Sequence, residues 1–401
     1  MVDGVSDEAE QRRTCLWLAE VASVRPGALQ RLCGRFDGMS DVIAQPRQRL
    51  AQELQRRRRT RAEESACGEE AEDRAEAAAY EALLGAAADG PLGRGPGLAV
   101  AYIDAAYPER LRRLYDPPPA LYVHGAGVPE SLHALNAGPV VGVVGARGPS
   151  AYGREMATSI ATDLARAGVV VVSGLAMGID AVAQQAALRA ARHGRPATVG
   201  VLGCGVDVVY PRCNARLFAG VLARGLLLSE FVWGLRARAW RFPARNRVIA
   251  GLCDALVVVE GSERSGALIT AGFMNDLNGN VLAVPGEAGR VLSAGPHKIL
   301  KDYAHLCESA ADVLQIIGIA PAGGPWQAPP PGTSGAGAEV QQMLAMLDAG
   351  ERTPDELAAA AGVPAAAAAN LVSVLELEGL VQPSAGGRYR LVRGRPPGRR
   401  S

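Results

Sequence analysis

Lysine is almost absent from this chain of 401 residues: of 42 basic residues only Lys298 and Lys301 are lysines, which leaves 40 arginines. With 48 glycines and 26 prolines alongside, the arginine excess reads as the residue bias of a GC-rich genome, not as a selected guanidinium surface. The formal net charge is only +1, so no global field announces a polyanionic partner, and a nucleic-acid site has to be sought in local clusters. The seven cysteines (Cys15, Cys33, Cys67, Cys204, Cys213, Cys253 and Cys307) contain no CxxC pair and are odd in number, which argues against both a zinc site and a disulfide framework. They are expected to be small buried hydrophobes in a reducing cytoplasm. A signal segment is not apparent at the acidic N-terminus, and no apolar run approaches the roughly 20 residues of a membrane span. The expectation is a cytoplasmic protein with no membrane partner.

Catalytic signatures are equally scarce. The five histidines are dispersed, none beside a nucleophile elbow, and no G-x-x-x-x-G-K-S/T sequence occurs, so hydrolase and Walker-type phosphate chemistry lack their marks. Glu260 and Glu263 could pair on a metal, yet Glu260 ends an apolar run and Glu263 adjoins Arg264, which favours a structural role. The expectation is binding, with no catalytic residue, no metal and no cofactor.

What is present is a clear change of pattern along the chain. Residues 1 to 88 read as a small helical domain, broken at Arg25-Pro26-Gly27 and Phe36-Asp37-Gly38, with a basic run at Arg56 to Arg59 and an acidic, alanine-rich stretch from 62 to 88. DGPLGRGPG, 89 to 97, is a linker. From 98 to 317 the runs VVGVV, GVVVVSG, ATVGVLG, GLLLSE, DALVVVE and NVLAVPG alternate with helical stretches and show little polar alternation. Strands buried on both faces look like this, so the segment is predicted to be an α/β, Rossmann-like, doubly wound and largely parallel sheet. Residues 318 to 337 form a Pro/Gly-rich linker. Residues 338 to 393 carry three helical stretches, one opening on the capping box Thr353-Pro354-Asp355-Glu356, and a hairpin around Gly386-Gly387, the outline of a winged helix. A short basic tail follows.

Three strand-to-helix turns are rich in glycine. VVGVVGARGPSAYG places Gly142, Gly145 and Gly148 out of step with G-x-G-x-x-G, and the next strand ends in Ser173-Gly174 where a ribose-binding acid would stand, so dinucleotide binding loses its specific marks. A helix N-terminus with Arg147 at its mouth still favours an anion. SGLAMGID, with Gly174, Gly178 and Asp180, and EGSERSGALIT, with Ser265 and Gly266, repeat the arrangement. Carboxyl ends of parallel strands gather on one edge, so the three turns are expected to line one crevice that takes several phosphates.

AWRFPARNRVIAGL, 239 to 252, interleaves Trp240 and Phe242 with Arg241, Arg245, Asn246 and Arg247. Guanidinium groups take phosphates and aromatic faces stack bases, the combination suited to an unpaired strand. Each residue also has a plainer reading: Arg147, Arg245 and Arg247 as internal ion-pair partners, Phe242 as core, the glycines as turn formers.

VGARGPSAYG, SGLAMGIDAVA, GCGVDVVYPRCN, LLSE, FPARNRVIAGL, VVEGSERSGALITA and AVPGE, in this order, resemble the DNA-processing protein A (DprA/Smf) family. The resemblance is strong over about 100 to 310 and weaker at both ends. It implies an extended Rossmann domain that binds single-stranded DNA, protects it, and helps load the RecA recombinase, acting as a homodimer without a cofactor or an enzymatic step. It implies DNA contacts at Arg147, along Phe242, Arg245, Asn246 and Arg247, and at Ser265 and Gly266; Ser173 and Gly174 in the second turn and Trp240 beside Phe242 are expected to join them from the reading of the residues themselves. Departures fall at Met177, where the family usually has arginine, at Gln184, where histidine is common, and at His297, where asparagine is usual near the dimer contact. The rival reading is a nucleotide-processing enzyme similar to the lysine-decarboxylase-like phosphoribohydrolases. The place of their P-G-G-x-G-T-x-x-E turn here reads ERSGALITA. A sequence-specific regulator built on the winged helix is disfavoured, because its alanine-rich helices offer few base-reading side chains.

Overall fold

The computed structural model describes residues 2–24, 27–56, 82, 95–191, 195–319, 338–348, 350–362, 365–377, 380–384 and 387–391. Arg57 to Arg59, nearly all of 62 to 88, almost the whole 318 to 337 linker, Gly386 and the basic tail lie outside them, so the expectations for those segments stay as they stand. The chain divides into two compact units, Met1–Ala322 and Gly323–Ser401.

The first unit is built on a nine-stranded sheet: β1 (Leu98–Ala101), β2 (Ala120–Gly125), β3 (Val140–Val144), β4 (Val170–Ser173), β5 (Thr198–Val201), β6 (Leu226–Ser229), β7 (Ala255–Val258), β8 (Asn280–Ala283) and β9 (His305–Leu306), in the spatial order β1-β2-β6-β5-β4-β3-β7-β8-β9. From β6 to β9 every neighbour is parallel, while β1 and β2 add an antiparallel edge. The six strands expected from the apolar runs are all present. β3 shows why they read as unbroken apolar runs: Val140 and Val144 enter the core on one face and Val141 and Val143 the core on the other, since successive residues point to opposite sides.

Helices cover both faces. On one lie α9 (Arg241–Leu252) and α10 (Gly266–Asp276), contributing Ile249, Leu252, Ala271 and Met274; on the other lie α6 (Ala151–Arg166), α7 (Ile179–Ala190) and α12 (Ala310–Ile316), contributing Ile160, Leu164, Ala183 and Leu314. The chain builds outward from β3 through β4, β5 and β6, then crosses back along α9 to place β7 on the other side of β3. That reversal opens a crevice beyond the carboxyl ends of β3 and β7, where doubly wound sheets bind their ligands.

The N-terminal helices α1 (Val2–Val24), α2 (Ala28–Cys33), α3 (Met39–Ile43) and α4 (Arg47–Arg56) share a small core around Leu18, Leu32, Val42 and Leu50. They are continuous with the sheet and do not stand apart from it: Arg12 Nε pairs with Asp104 at 3.2 Å, and Arg241 donates to the Ser23 carbonyl at 3.0 Å. Cys15, Cys33, Cys204, Cys253 and Cys307 are buried, as their composition suggested, and burial pushes the Cys204 thiol up to about 11. Cys213 departs from that expectation and is exposed, because it sits in the loop after β5.

The second unit holds α13 (Ala338–Asp348), α14 (Pro354–Ala361), α15 (Ala365–Leu377) and a hairpin of β10 (Val381–Ser384) with β11 (Arg388–Leu391). Thr353 Oγ1 accepts from the Glu356 amide and the Glu356 carboxylate accepts from the Thr353 amide, the reciprocal cap the sequence specified. Met343, Leu357, Val372 and Val381 form its core. No described helix is long and apolar enough to cross a membrane.

Candidate nucleic-acid interface

The crevice holds an open cavity of about 550 Å³. Its floor is the end of β3 (Val144 to Arg147), one wall is the start of α10 (Ser265, Gly266, Ile269), and the opposite wall is α9 with Tyr210 from the loop after β5. Arg147, Phe242, Arg245, Asn246, Ser265 and Gly266, expected from sequence to act together, all line it.

The turns are pressed together by glycine. Gly178 has φ +84°, and a Cβ there would lie 2.2 Å from the Ala146 carbonyl oxygen, so only glycine lets the turn after β4 rest on the turn after β3. Asn214 then ties the Tyr210 loop to the β4 turn by donating to the Leu175 and Ala176 carbonyls at 2.9 and 3.1 Å.

The three turns are not equal as anion sites. At the start of α6, Glu260 at the end of β7 already occupies the helix N-terminus: its carboxylate accepts from the Ser150 amide at 2.9 Å and the Ser150 hydroxyl at 2.5 Å. At the start of α7 the Gly174 amide donates to Asp180 and the Leu175 amide to Gln184. The Ser150, Gly174 and Leu175 amides are therefore consumed internally. At α10 the Gly266 amide meets no acceptor among the described residues, and what sets this turn apart is the shielded Ser265 hydroxyl, which has no hydrogen-bond partner there. A buried polar atom without a partner is costly, and this one belongs to a residue that lines the cavity.

Arg147 is exposed at the cavity mouth and makes no ion pair with a described residue. Phe242 faces Tyr210 with ring centroids 5.3 Å apart and planes tilted by 33°. Tyr210 remains 46% exposed, leaving a ring face for an incoming group. Arg245 is buried beneath the rim, donating to the Gly174 and Val201 carbonyls and so bracing the ends of β4 and β5. Burial lowers its guanidinium to about 10 against the pull of neighbouring Asp180, and its charge reaches the cavity from below. Asn246 donates to the Gly266 carbonyl at 3.3 Å and fixes α9 to the start of α10.

Three expected contacts lie elsewhere. Arg247 is 7% exposed and grips Glu230 with two bonds of 3.2 and 2.6 Å, with Asp116 at 3.3 Å, an internal ion pair outside the cavity lining. Trp240 packs edge-on to Phe231 at 6.0 Å beneath the Arg241 guanidinium and does not line the cavity. Ser173 is fully buried and donates to the Val143 carbonyl at 2.6 Å, stitching β4 to β3; Gly174, next to it, borders a small annex of the crevice with Met177 and Tyr210. Gln184 is likewise an internal strut, bonded to Leu175, Thr198 and Val199. Tyr210 and Ile269 are among the lining residues that sequence reasoning passed over, although Tyr210 stood within GCGVDVVYPRCN.

Among the described residues no group of three His, Cys, Asp or Glu side chains is placed to hold a metal ion. Residues 99–318 match the family model described as DNA recombination-mediator protein A, and residues 327–387 the DprA winged helix domain. DNA processing protein DprA of Bacillus subtilis is 37% identical over 211 residues, 53% of this chain and 68% of that protein. Protein Smf of Escherichia coli is 36% identical over 296 residues, 72% and 75% of the two chains. The X-ray structure of DNA processing protein A from Streptococcus pneumoniae aligns over 77% of this chain and 96% of its own, with a TM-score of 0.55 and 28% identity. With more than half its length matched by one family model, and its winged helix by a second, the chain belongs to the DprA/Smf family of DNA recombination mediators.

Proposed function

We propose that the crevice beyond β3, β4 and β7 holds an unpaired DNA strand, with phosphates on Arg147 and at the Ser265–Gly266 corner and a base against Tyr210 and Phe242. The protein thereby shields single-stranded DNA and helps to load RecA on it, working as a cytoplasmic homodimer with neither a cofactor nor a catalytic step. One observation carries this reading: an exposed arginine without an ion-pair partner among the described residues and an accessible ring pair share a single cavity at the switch point of the sheet. A cation for the phosphate beside a π face for the base is what a sequence-neutral strand binder needs. The phosphoribohydrolase reading is disfavoured, because ERSGALITA lacks the run of glycines and the placed glutamate of the P-G-G-x-G-T-x-x-E turn.

Fluorescence anisotropy with labelled oligonucleotides tests the reading. Unpaired strands of any base composition are expected to bind more tightly than the matching duplex. The logarithm of the affinity is expected to fall linearly with that of salt, by about 0.7 per phosphate neutralised. Tighter binding of duplex that disappears when 336 to 401 are deleted would contradict it, and base release from nucleoside monophosphates would move the assignment to the enzyme.

A further inference from the structure

Both lysines of the chain line a second open cavity, of about 810 Å³, on the far side of the 261 to 266 turn. Lys298 lies on α11 (Val291–Leu300) and Lys301 caps it, three residues on, so the two ammonium groups rise from one side of the helix. Arg264 and Arg290 complete the cationic lining, and Glu263 is its one carboxylate. Arg290 is drawn to Glu287 at 2.8 Å, whereas Lys298, Lys301 and Arg264 are exposed and make no ion pair with a described residue. Asp302, next to Lys301, lies outside the lining.

Close backbone packing sets the groove beside the first cavity. A Cβ on Gly295 would lie 2.6 and 2.8 Å from the Gly261 and Ser262 carbonyl oxygens, so glycine lets α11 dock on the turn. The Gly295 amide donates to the Gly261 carbonyl, and the Gly261 amide to the Leu292 carbonyl, both at 2.8 Å. His297 holds the rim by its Nε2 contact to the Gly286 carbonyl at 2.9 Å. Within this one turn Ser262, Glu263 and Arg264 face the second cavity while Ser265 and Gly266 face the first. Four residue steps span at most ~14 Å, so one flexible strand can cross from one cavity to the other.

We infer that the lysine groove is a second subsite for the phosphates of the same single strand, reached over the 262 to 266 turn; the inference rests on the function proposed above. Lysine is a flexible point charge suited to phosphate without a fixed geometry. The lining contains no Phe, Tyr or Trp, its one imidazole, His297, is engaged with the Gly286 carbonyl, and Val291, 72% exposed, is its one large apolar surface, so the groove is suited to backbone more than to bases. It adds length dependence and salt dependence, not sequence preference.

The test compares oligothymidylates of about 5 and about 15 nucleotides, within the range single-strand sites cover, on the full chain carrying Lys298→Ala and Lys301→Ala. The long strand is expected to lose about tenfold in affinity and to show a salt slope shallower by about 1.4, while the short strand binds as in the wild type. Lys298→Arg with Lys301→Arg keeps both charges and is expected to restore the long-strand affinity. An unchanged long-strand affinity and slope overturns the inference, while short-strand binding that still depends on Arg147 leaves the first cavity's role standing. Equal loss for both lengths also overturns it, because the lysines would then act at the first cavity. A changed sedimentation coefficient with unaltered DNA binding reassigns the groove to a protein contact. Failure of the wild type to bind either strand removes the function and the inference together.

Discussion

Arg247→Ala is expected to cost the fold about 3–5 kcal/mol and to abolish DNA binding only to the extent that the protein unfolds. The residue is a buried cation between two buried carboxylates, with Glu230 held bidentately and Asp116 on the Nε side. Removing it strands both acids in a low-dielectric interior, where an unpaired charge is far more expensive than the lost pair was worth. Burial raises the Glu230 carboxyl and Arg247 holds it down, so the variant frees it to rise further. A carboxyl whose folded pKa exceeds its unfolded value binds an extra proton in the folded state, and stability falls as pH rises through that folded pKa. The deficit in urea unfolding is therefore expected to be larger at pH 8 than at pH 5. A loss below about 1 kcal/mol, or the opposite pH trend, would mean that the triad does not bear on stability.

Arg147 yields the opposite phenotype from the same residue type. It is exposed, makes no ion pair with a described residue, and its removal is expected to leave unfolding within about 0.5 kcal/mol of wild type. Single-strand affinity is expected to drop about tenfold in Arg147→Ala, with a salt slope shallower by about 0.7, and further in Arg147→Glu, where a carboxylate faces the phosphates. Wild-type affinity in Arg147→Glu would remove the cavity mouth from the binding path. The two arginines thus separate folding from binding.

How much of this was legible in the sequence follows from where the information lies. The six central strands stood out because residues such as Val140 to Val144 are buried on both faces and allow no polar alternation. β1, β2 and β9 did not: LAVA and HL are too short to carry a period, and ALYVHG follows directly on three prolines. The crevice was legible because strand order fixes which turns meet. The division of labour along 239 to 252 was not, because its outcome depends on the segment being a helix. Phe242, Arg245, Asn246 and Ile249 recur at helical spacing and share the face toward the cavity, whereas Trp240 and Arg247, seven apart, share another. Composition alone showed aromatics among arginines and could not say that one face alone reaches the crevice. Nor could local sequence show that Glu260, 110 residues from Ser150, had already claimed the first helix N-terminus.

The most direct measurement is photo-crosslinking of a halogenated deoxyuridine oligonucleotide to the full chain, followed by mapping of the adducted peptides. Base stacking at the crevice predicts adducts on Tyr210 or Phe242. Adducts confined to residues 338 to 391, with none in the crevice, would contradict the account.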